Sequence, residues 1–363
     1  MSGQRRRIAI LFGGRSAEHE VSVVSAGAVQ QALDPERFDP MFIGISKDGS
    51  WHLLDGPPQL AEGATELPSV SPDSGLEIEL RRGSGTLVAP DGAHREIDVA
   101  FPLVHGPYGE DGTIQGLLEL SGIPYVGAGV LGSAVGMDKA VQKVLFAAEG
   151  LPIVPHHVVY EREWEEDPEG VEARAQDLGY PLFAKPATLG SSIGITRVAD
   201  PSDLRRAVET ALRYSSKAVL ERSAEGAREI ECGVLGNDDP VASVPGEIVH
   251  RAQFYDYDAK YLDDGTTLVI PAELPAETVE EIQRLAVAAF HAIDAAGMAR
   301  IDLFVWDQGR VVVNEINTIP GFTPASMYPK LWEASGLPYP RLIDRLVELA
   351  LERHERERKR SAG

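Results

Sequence analysis

The chain has 363 residues, 43% of them hydrophobic and 25% charged, which suits a water-filled setting and two to three domains at roughly 150 residues each. A net charge of -22 argues against non-specific binding to nucleic acid or an anionic membrane, so an anionic substrate requires a local cluster of Lys and Arg. Cys232 is the sole cysteine, which rules out an intrachain disulfide and fits a reducing compartment. The apolar run after MSGQRRR is too short for a signal peptide or a membrane span, and the expectation is a cytoplasmic protein.

RIAILFGG (residues 7 to 14) reads as a buried strand ending in a glycine turn. After RSAEHE, the residues Val21, Val24, Ala28 and Ala32 fall at helical spacing. With further strands at PMFIGIS and IDVAFPLV, this predicts a parallel α/β unit. The Pro/Gly/Ser-rich region from about 55 to 95 predicts loops and a small hairpin. TIQGLLELSG predicts a helix closed by Gly122, and a longer helix is predicted over about 131 to 149, stopping at Gly150. YPLFAKPATLGSSIGITRV reads as two strands joined by a Gly/Ser loop, and a helix opens at Asp200-Pro201. AVLERS, REIECGVLG and VASVPGEIV read as meandering strands. HRAQFYDYDAKYLDDGTT is too long and aromatic for a simple connector and predicts a lid or a disordered loop. A helix over about 276 to 296, a hairpin from 301 to 317 and a final helix from about 340 complete the chain, and ERHERERKRSAG reads as a fraying helix end.

The hairpin IDLFVWDQGRVVVNEIN carries acids inside apolar strands, which is costly unless something charged lies against them. If Gln308-Gly309 is a two-residue turn, Asp302 faces Glu315 and Arg300 faces Asn317 on one side of the ladder. A three-residue turn shifts the register and separates the acids. Two opposed carboxylates repel, whereas a Mg²⁺ ion completed by substrate phosphates turns the arrangement to advantage. A solvated edge ladder remains the alternative. ATLGSSIG lacks the pattern of a Walker loop, and reads either as a flexible linker or as a cradle for phosphate oxygens built from glycine-freed amides, Ser191 and Ser192. Lys185, flanked by apolar residues, needs an anionic partner if buried. GGRSAEHE lacks GxGxxG, so a nicotinamide cofactor is not supported. Glu18 at a helix start, His105 at the carboxyl edge of the sheet and Lys139 in GMDKA each have an ordinary reading as a dipole complement, a loop histidine and a surface lysine.

Taken together, GGRSAEHEVS, HGPYGEDGTIQG, GMDK, KPATLGSSIG, FYDYDAKY, RIDLF and NEINTIPGFTPASMYP, in that order over nearly the whole chain, resemble the D-alanine–D-alanine ligase family of the ATP-grasp superfamily. The 55 to 95 insertion resembles the longer subtype. The resemblance implies an α/β ATP-grasp fold behind an N-terminal parallel α/β (pre-ATP-grasp) domain, divided as 1–138, 139–222 and 223–363. It implies that Asp302, Glu315 and Asn317 hold two Mg²⁺ ions (with Mn²⁺ as a substitute) bridging the phosphates of ATP. Lys139, Lys185 and Lys260 are expected at ATP, with Ser191 and Ser192 in the loop that closes over its phosphates. Glu221 and Glu229 match the acids at adenine and ribose, and Glu231 competes for the second role.

By the same resemblance, Glu18 holds the ammonium of a first D-alanine, with His105 at the substrate. Arg300 and the backbone of Gly321 stabilise the oxyanion, and Ser326 and Met327 receive a second D-alanine. Tyr261 is expected to bond Ser191 and Glu18 and close the site, and it argues for a dipeptide rather than a D-lactate ester; a related ligase taking D-lactate or D-serine as second substrate is the alternative. Arg222, where lysine is frequent, and Thr188-Leu189 before the serine loop are modest departures. A homodimer and a role in peptidoglycan precursor synthesis are further implications, and the sequence leaves open whether a monovalent cation activates.

Overall fold

The computed structural model describes residues 5–59, 67–90, 92–250 and 266–361. Residues 60–66 and the stretch 251–265, which contains Lys260 and Tyr261, lie outside the described residues. Strand β1 (Arg6–Gly13) has its Ile8–Phe12 run wholly buried, as expected of a strand covered on both faces. It pairs in parallel with β2 (Phe38–Ile45) and with β8 (Val99–Pro102). On the far side of β2, β3 (Trp51–Leu54) and β4 (Leu76–Glu77) complete a five-stranded sheet. Helix α1 (His19–Ala32) turns Val23, Ala26 and Val29 to the core, while Val24, Ala28 and Ala32 are only half-buried. Counting apolar residues alone misplaces this stripe, because small polar residues share the inner face. The buried Ser22 hydroxyl accepts from Gly13 N at 2.8 Å and donates to Leu103 O at 2.6 Å.

Where one small hairpin was expected, β5 (Glu79–Arg81), β6 (Thr86–Val88) and β7 (His94–Glu96) form a separate three-stranded sheet. Helix α2 (Thr113–Ser121) ends at Gly122, whose φ of 70° is the left-handed cap that glycine favours. The single helix predicted over 131–149 is two, α3 (Val130–Met137) and α4 (Lys139–Ala148). The break falls at Asp138, which leaves the helical region to cap α4, its carboxylate accepting from Ala140 N and Val141 N. Helical periodicity runs through this junction unbroken, and the capping carboxylate is the only local mark of it.

The second sheet is antiparallel in the order β11-β10-β12-β9, from β9 (His156–Tyr160), β10 (Leu182–Pro186), β11 (Thr196–Val198) and β12 (Lys217–Arg222). Helices α5 (Glu161–Glu166), α6 (Pro168–Leu178) and α7 (Pro201–Leu212) accompany it, with Val159, Val171, Leu182, Leu204, Val208 and Leu220 in one core. Helix α7 opens as its Asp-Pro signal predicts, Asp200 capping Ser202 N.

The third sheet contains β13 (Arg228–Gly236), β14 (Val241–Ala242), β15 (Gly246–His250), β16 (Thr266–Val269), β17 (Gly297–Val305) and β18 (Val311–Asn317), in the order β16-β15-β13-β17-β18 with β14 on β13. Helix α8 (Ala276–Ala292) supplies Ile282, Leu285 and Phe290 to its core, which also takes Phe146 from α4. Cys232 is fully buried in that core, and burial pushes its thiol up to about 12. Helices α9 (Met327–Ala334) and α10 (Tyr339–Ser361) return to the first sheet, where Tyr328, Leu342 and Leu346 share a core with Phe12 and Phe101. Helix α10 extends to Ser361. Among the described residues, no helix is long and apolar enough to cross a membrane.

The β17–β18 hairpin departs from expectation at its tip and agrees with it at its base. Trp306 N donates to Arg310 O at 3.0 Å and Gly309 has φ 77°, so the turn holds three residues, Asp307, Gln308 and Gly309. Leu303 accordingly faces Val313, a register that by itself would carry Glu315 to the apolar side. A bulge at Asn314 inserts one residue and restores the pairs Asp302–Glu315 and Arg300–Asn317. Deleting Gln308 should therefore leave an Asp307-Gly309 two-residue turn with the pairing at the base untouched. A thermal melt of that variant is expected to move by no more than about 2 °C, roughly the effect of 1 kcal/mol in a chain of this length. A larger loss would show that the base depends on the tip.

Candidate active site

Lys139, Gln142 and Lys143 stand three and four residues apart, so they share one face of α4. That face grips three successive residues of β18. Lys143 Nζ donates to the carbonyl of the bulged Asn314 at 3.1 Å. Lys139 Nζ lies 3.2 Å from Glu315 Oε2 and donates to Leu189 O at 2.8 Å. Gln142 exchanges hydrogen bonds with the Ile316 backbone, accepting from N at 3.2 Å and donating to O at 3.3 Å. The break at Asp138 is what starts α4 at Lys139, and Asp138 also ion-pairs with Lys217 at the head of β12.

Glu221 on β12 is 3% exposed and ion-pairs through one oxygen with Lys143 and through the other with Lys185 on β10. Burial works against all three charges. For Glu221, the two ammonium groups outweigh burial and hold the carboxyl well below the usual range. For Lys185, Glu221 and Glu315 outweigh burial and raise it. The acid expected at adenine thus has both oxygens occupied by lysines, and Lys185 has the anionic partner that its apolar flanks demanded.

Across the third sheet, Glu231 faces Asp302 and Asp302 faces Glu315, a row of three carboxylates on adjacent strands. Like charges in such a row repel. Arg300 offsets the repulsion, its Nε and Nη2 donating to Asp302 at 2.7 and 2.8 Å, with Nε also 3.1 Å from Glu231 Oε2. Burial disfavours its charge, but Asp302 and Glu231 more than restore it. Asn317 Nδ2 donates to Asp302 Oδ2 at 3.2 Å, which ties the third of the expected ligands to the first. Among the described residues no three or more His, Cys, Asp or Glu side chains gather to hold an ion by themselves. Two carboxylates and an amide oxygen nevertheless fit a hard divalent cation that takes its remaining oxygens from a phosphate substrate. Glu229, two residues before Glu231, is exposed opposite Phe304.

Glu18 occupies the N-cap position of α1 and accepts a hydrogen bond from the Ser191 hydroxyl, 173 residues away. Ser191 and Ser192 have φ 49° and 59°, in the left-handed region that non-glycine residues enter at a cost. A Cβ placed on Gly106 or on Gly190 would lie 3.6 or 3.7 Å from Glu18 Oε2, so two glycine turns close on this carboxylate. His105 is buried, with Nδ1 3.2 Å from Ile319 O, and burial lowers its pKa despite Glu18 nearby. Ser326 Oγ is held by Thr323, accepting from its N–H at 3.1 Å, and a Cβ on Gly321 would come within 3.1 Å of it. Met327 is buried, and a Cβ on Gly246 would lie 2.9 Å from its sulfur. Lys143, Gln142 and Glu110 were not singled out from sequence. Spacing from Lys139 was a usable signal for the first two, whereas Glu110 lay unremarked inside a motif already quoted.

Acids on a bulged hairpin, facing Lys139 at the start of α4 and Lys185 of a second antiparallel sheet with its glycine–serine loop, define an ATP-grasp enzyme, and the fold agrees. Residues 7–128 match the family profile described as D-ala D-ala ligase N-terminus, and residues 145–348 that of the D-ala D-ala ligase C-terminus. A D-alanine–D-alanine ligase of Kocuria rhizophila is 49% identical, covering 97% of this chain and 95% of that protein. One from Geobacillus thermodenitrificans is 48% identical, with 97% of each covered. Among solved structures, the D-alanine–D-alanine ligase of Coxiella burnetii superimposes with a TM-score of 0.86 at 39% identity, over 98% of this chain and 97% of that one. The VanG D-Ala:D-Ser ligase of Enterococcus faecalis gives 0.83 at 34% identity, over 96% and 100%. The chain belongs to the D-alanine–D-alanine ligase family.

Replacing Glu221 by Gln should leave the buried Lys143 and Lys185 without the carboxylate they share and cost about 3–5 kcal/mol. The folded-state pKa of Glu221 lies below its ordinary 4.5, so this stabilisation is present above pH 4.5 and is lost as pH falls below it. Urea unfolding of wild type and E221Q is expected to differ most near neutrality and to converge in acid. Parallel curves would remove the ion pairs from the stability argument.

Proposed function

We propose that the chain joins two D-alanines into D-alanyl-D-alanine with ATP as co-substrate, for peptidoglycan precursor synthesis. The observation that carries this reading is the alignment of Asp302, Glu315 and Asn317 on one face of the bulged hairpin, with Lys139 reaching Glu315. In the first step, a carboxylate oxygen of one D-alanine attacks the γ-phosphorus, the bond to the ADP oxygen breaks and an acyl phosphate forms. In the second, the amine of the other D-alanine attacks the acyl carbon and loses a proton, and the tetrahedral intermediate expels phosphate. Phosphoryl transfer of this kind needs positioning and charge neutralisation more than covalent help. Holding both amino acids in line is worth roughly 7–11 kcal/mol of the barrier.

Divalent metal use is a family property, and Mg²⁺, as two ions, is our assignment; when bound it neutralises the triphosphate, held by Asp302, Glu315 and Asn317. Mn²⁺ would substitute. Lys139 and Lys185 position the phosphates together with Ser192 and Lys260. Glu229 takes the ribose, because Glu231 is engaged with Arg300. Glu221 acts through Lys185. Glu18 binds the first ammonium with Ser191 and Tyr261 closing over it and His105 alongside, Arg300 and Gly321 receive the oxyanion, and Ser326 and Met327 hold the second amino acid. The segments 1–138, 139–222 and 223–363 form the three working units of a cytoplasmic homodimer.

ADP release from ATP and Mg²⁺ is expected only when millimolar D-alanine is present, with the dipeptide found by mass analysis. Glu315→Ala should abolish turnover while the circular dichroism spectrum and melting curve stay near wild type, and near-normal turnover would sink the metal assignment. The D-Ala:D-Ser relative makes D-serine the second acceptor to try, beside D-lactate. Tyr261→Phe is expected to relax selection against D-lactate, and unchanged selectivity would take the lid out of the specificity argument.

A further inference from the structure

Glu110 closes a compact turn in the stretch HGPYGEDG and has no part in the scheme above. Gly109 N and Glu110 N both donate to Gly106 O, at 3.0 and 2.9 Å, so residues 106–110 fold back on themselves. The Glu110 side chain accepts from Gly106 N at 2.6 Å and faces the backbone N–H of Ile319. On the other side, Nδ1 of His105 meets Ile319 O. The loop therefore holds the carbonyl of Ile319 through His105 and sets Glu110 against its N–H, and Ile319 is itself buried in the first-sheet core. Ile319 stands two residues after Asn317 and two before Gly321.

We infer that Glu110 is a positioning residue: with His105 it clamps Ile319 and so fixes Asn317 and Gly321 relative to the pocket around Glu18. The inference rests on the ligase reading. A side chain that merely filled space at this point would have no need to close its own turn onto Gly106 N while the same loop holds Ile319 through His105. The clamp joins the carboxylate that receives the first amino acid to the segment that receives the metal-bound phosphate, and a displacement of about 1 Å between such groups costs on the order of 100-fold in rate.

The charged and titratable groups facing Glu110 are Glu18 from the start of α1, Lys139 from the start of α4 and His105 on its own loop. Burial first, and then Glu18, push its carboxyl up to about 8, against the two backbone donors and Lys139. Near neutrality both arms of the clamp are uncharged, so Glu110 can sit by Glu18 without a second negative charge. Because the folded-state value lies above the ordinary 4.5, folding favours the protonated form. The penalty for ionising it is absent below pH 4.5, grows between 4.5 and 8, and is complete above 8.

The test compares wild type, Glu110→Ala and Glu110→Gln in D-alanine-dependent ADP release, in binding of a non-hydrolysable ATP analogue, and in melting temperature across pH 4.5 to 9. Expected are a fall in kcat on the order of 100-fold for E110A with nucleotide affinity kept within about threefold, and recovery of most of that loss by E110Q. The melting temperature of E110Q should gain on wild type as pH rises through the window and hold its lead above it. E110A turning over within about threefold of an active wild type would overturn the inference, as would a loss that appears only in nucleotide affinity. Should E110A fail to fold, E110Q decides alone: a melting difference that does not change with pH overturns the clamp's neutral carboxyl. Wild type that releases no ADP with D-alanine refutes the ligase reading instead, a result distinct from either.

Discussion

The grip of α4 on the bulge of β18 is the constraint on which the site depends. A bulge leaves an extra residue without a ladder partner, and an unpaired buried carbonyl is expensive. Lys143 answers the Asn314 carbonyl and Gln142 answers Ile316 on the next turn of backbone, while Lys139 meets the intervening carboxylate. One helical face thus reads a local irregularity and holds it. The lysine that does so is itself affordable only because Glu221 lies against it, and Glu221 also secures Lys185 on the adjacent strand of its own sheet. A sheet and a helix are tied through a single buried carboxylate, and the helix carries the tie on to β18 through Lys143.

The molecule as a whole is strongly anionic, yet the cations at the site are concentrated where a polyanion must lie. Arg300 and Lys139 each neutralise one member of the Glu231–Asp302–Glu315 row, and they do so at side-chain exposures of 19% and 10%, where water screens little. The acids are therefore held in place by internal partners. A divalent ion arriving with its phosphate oxygens would meet a donor set whose mutual repulsion is already offset.

Much of this was legible in the sequence. The order of strands and helices, the caps at Gly122 and Asp200 and the facing of Asp302 with Glu315 were all readable, because each rests on local chemistry or on period-two alternation. The hairpin is instructive, since the facing came out right from the wrong turn. Gly309 supplied a positive φ, but nothing local distinguishes a two-residue turn from three residues compensated by a bulge eight positions from Trp306. The division of the 131–149 helix hung on one capping aspartate inside an unbroken apolar pattern. The small third strand beyond the expected hairpin and the buried serines of α1 depend on long-range packing that composition does not encode. At the site, Lys185 announced its need for an anion, whereas the identity of that anion as Glu221 is a fact of tertiary structure.

Cys232 has a practical side. The chain's only thiol lies in the third-sheet core, with its sulfur against Ser243 and no exposed surface, and it is held far from ionisation. The thiolate is the reacting form toward alkylating probes, so the native protein is silent to maleimides without any residue being removed. A cysteine introduced at an exposed surface position would be the one reactive group in the chain. A fluorophore or spin label attached there would report on movements of this enzyme in its otherwise native sequence.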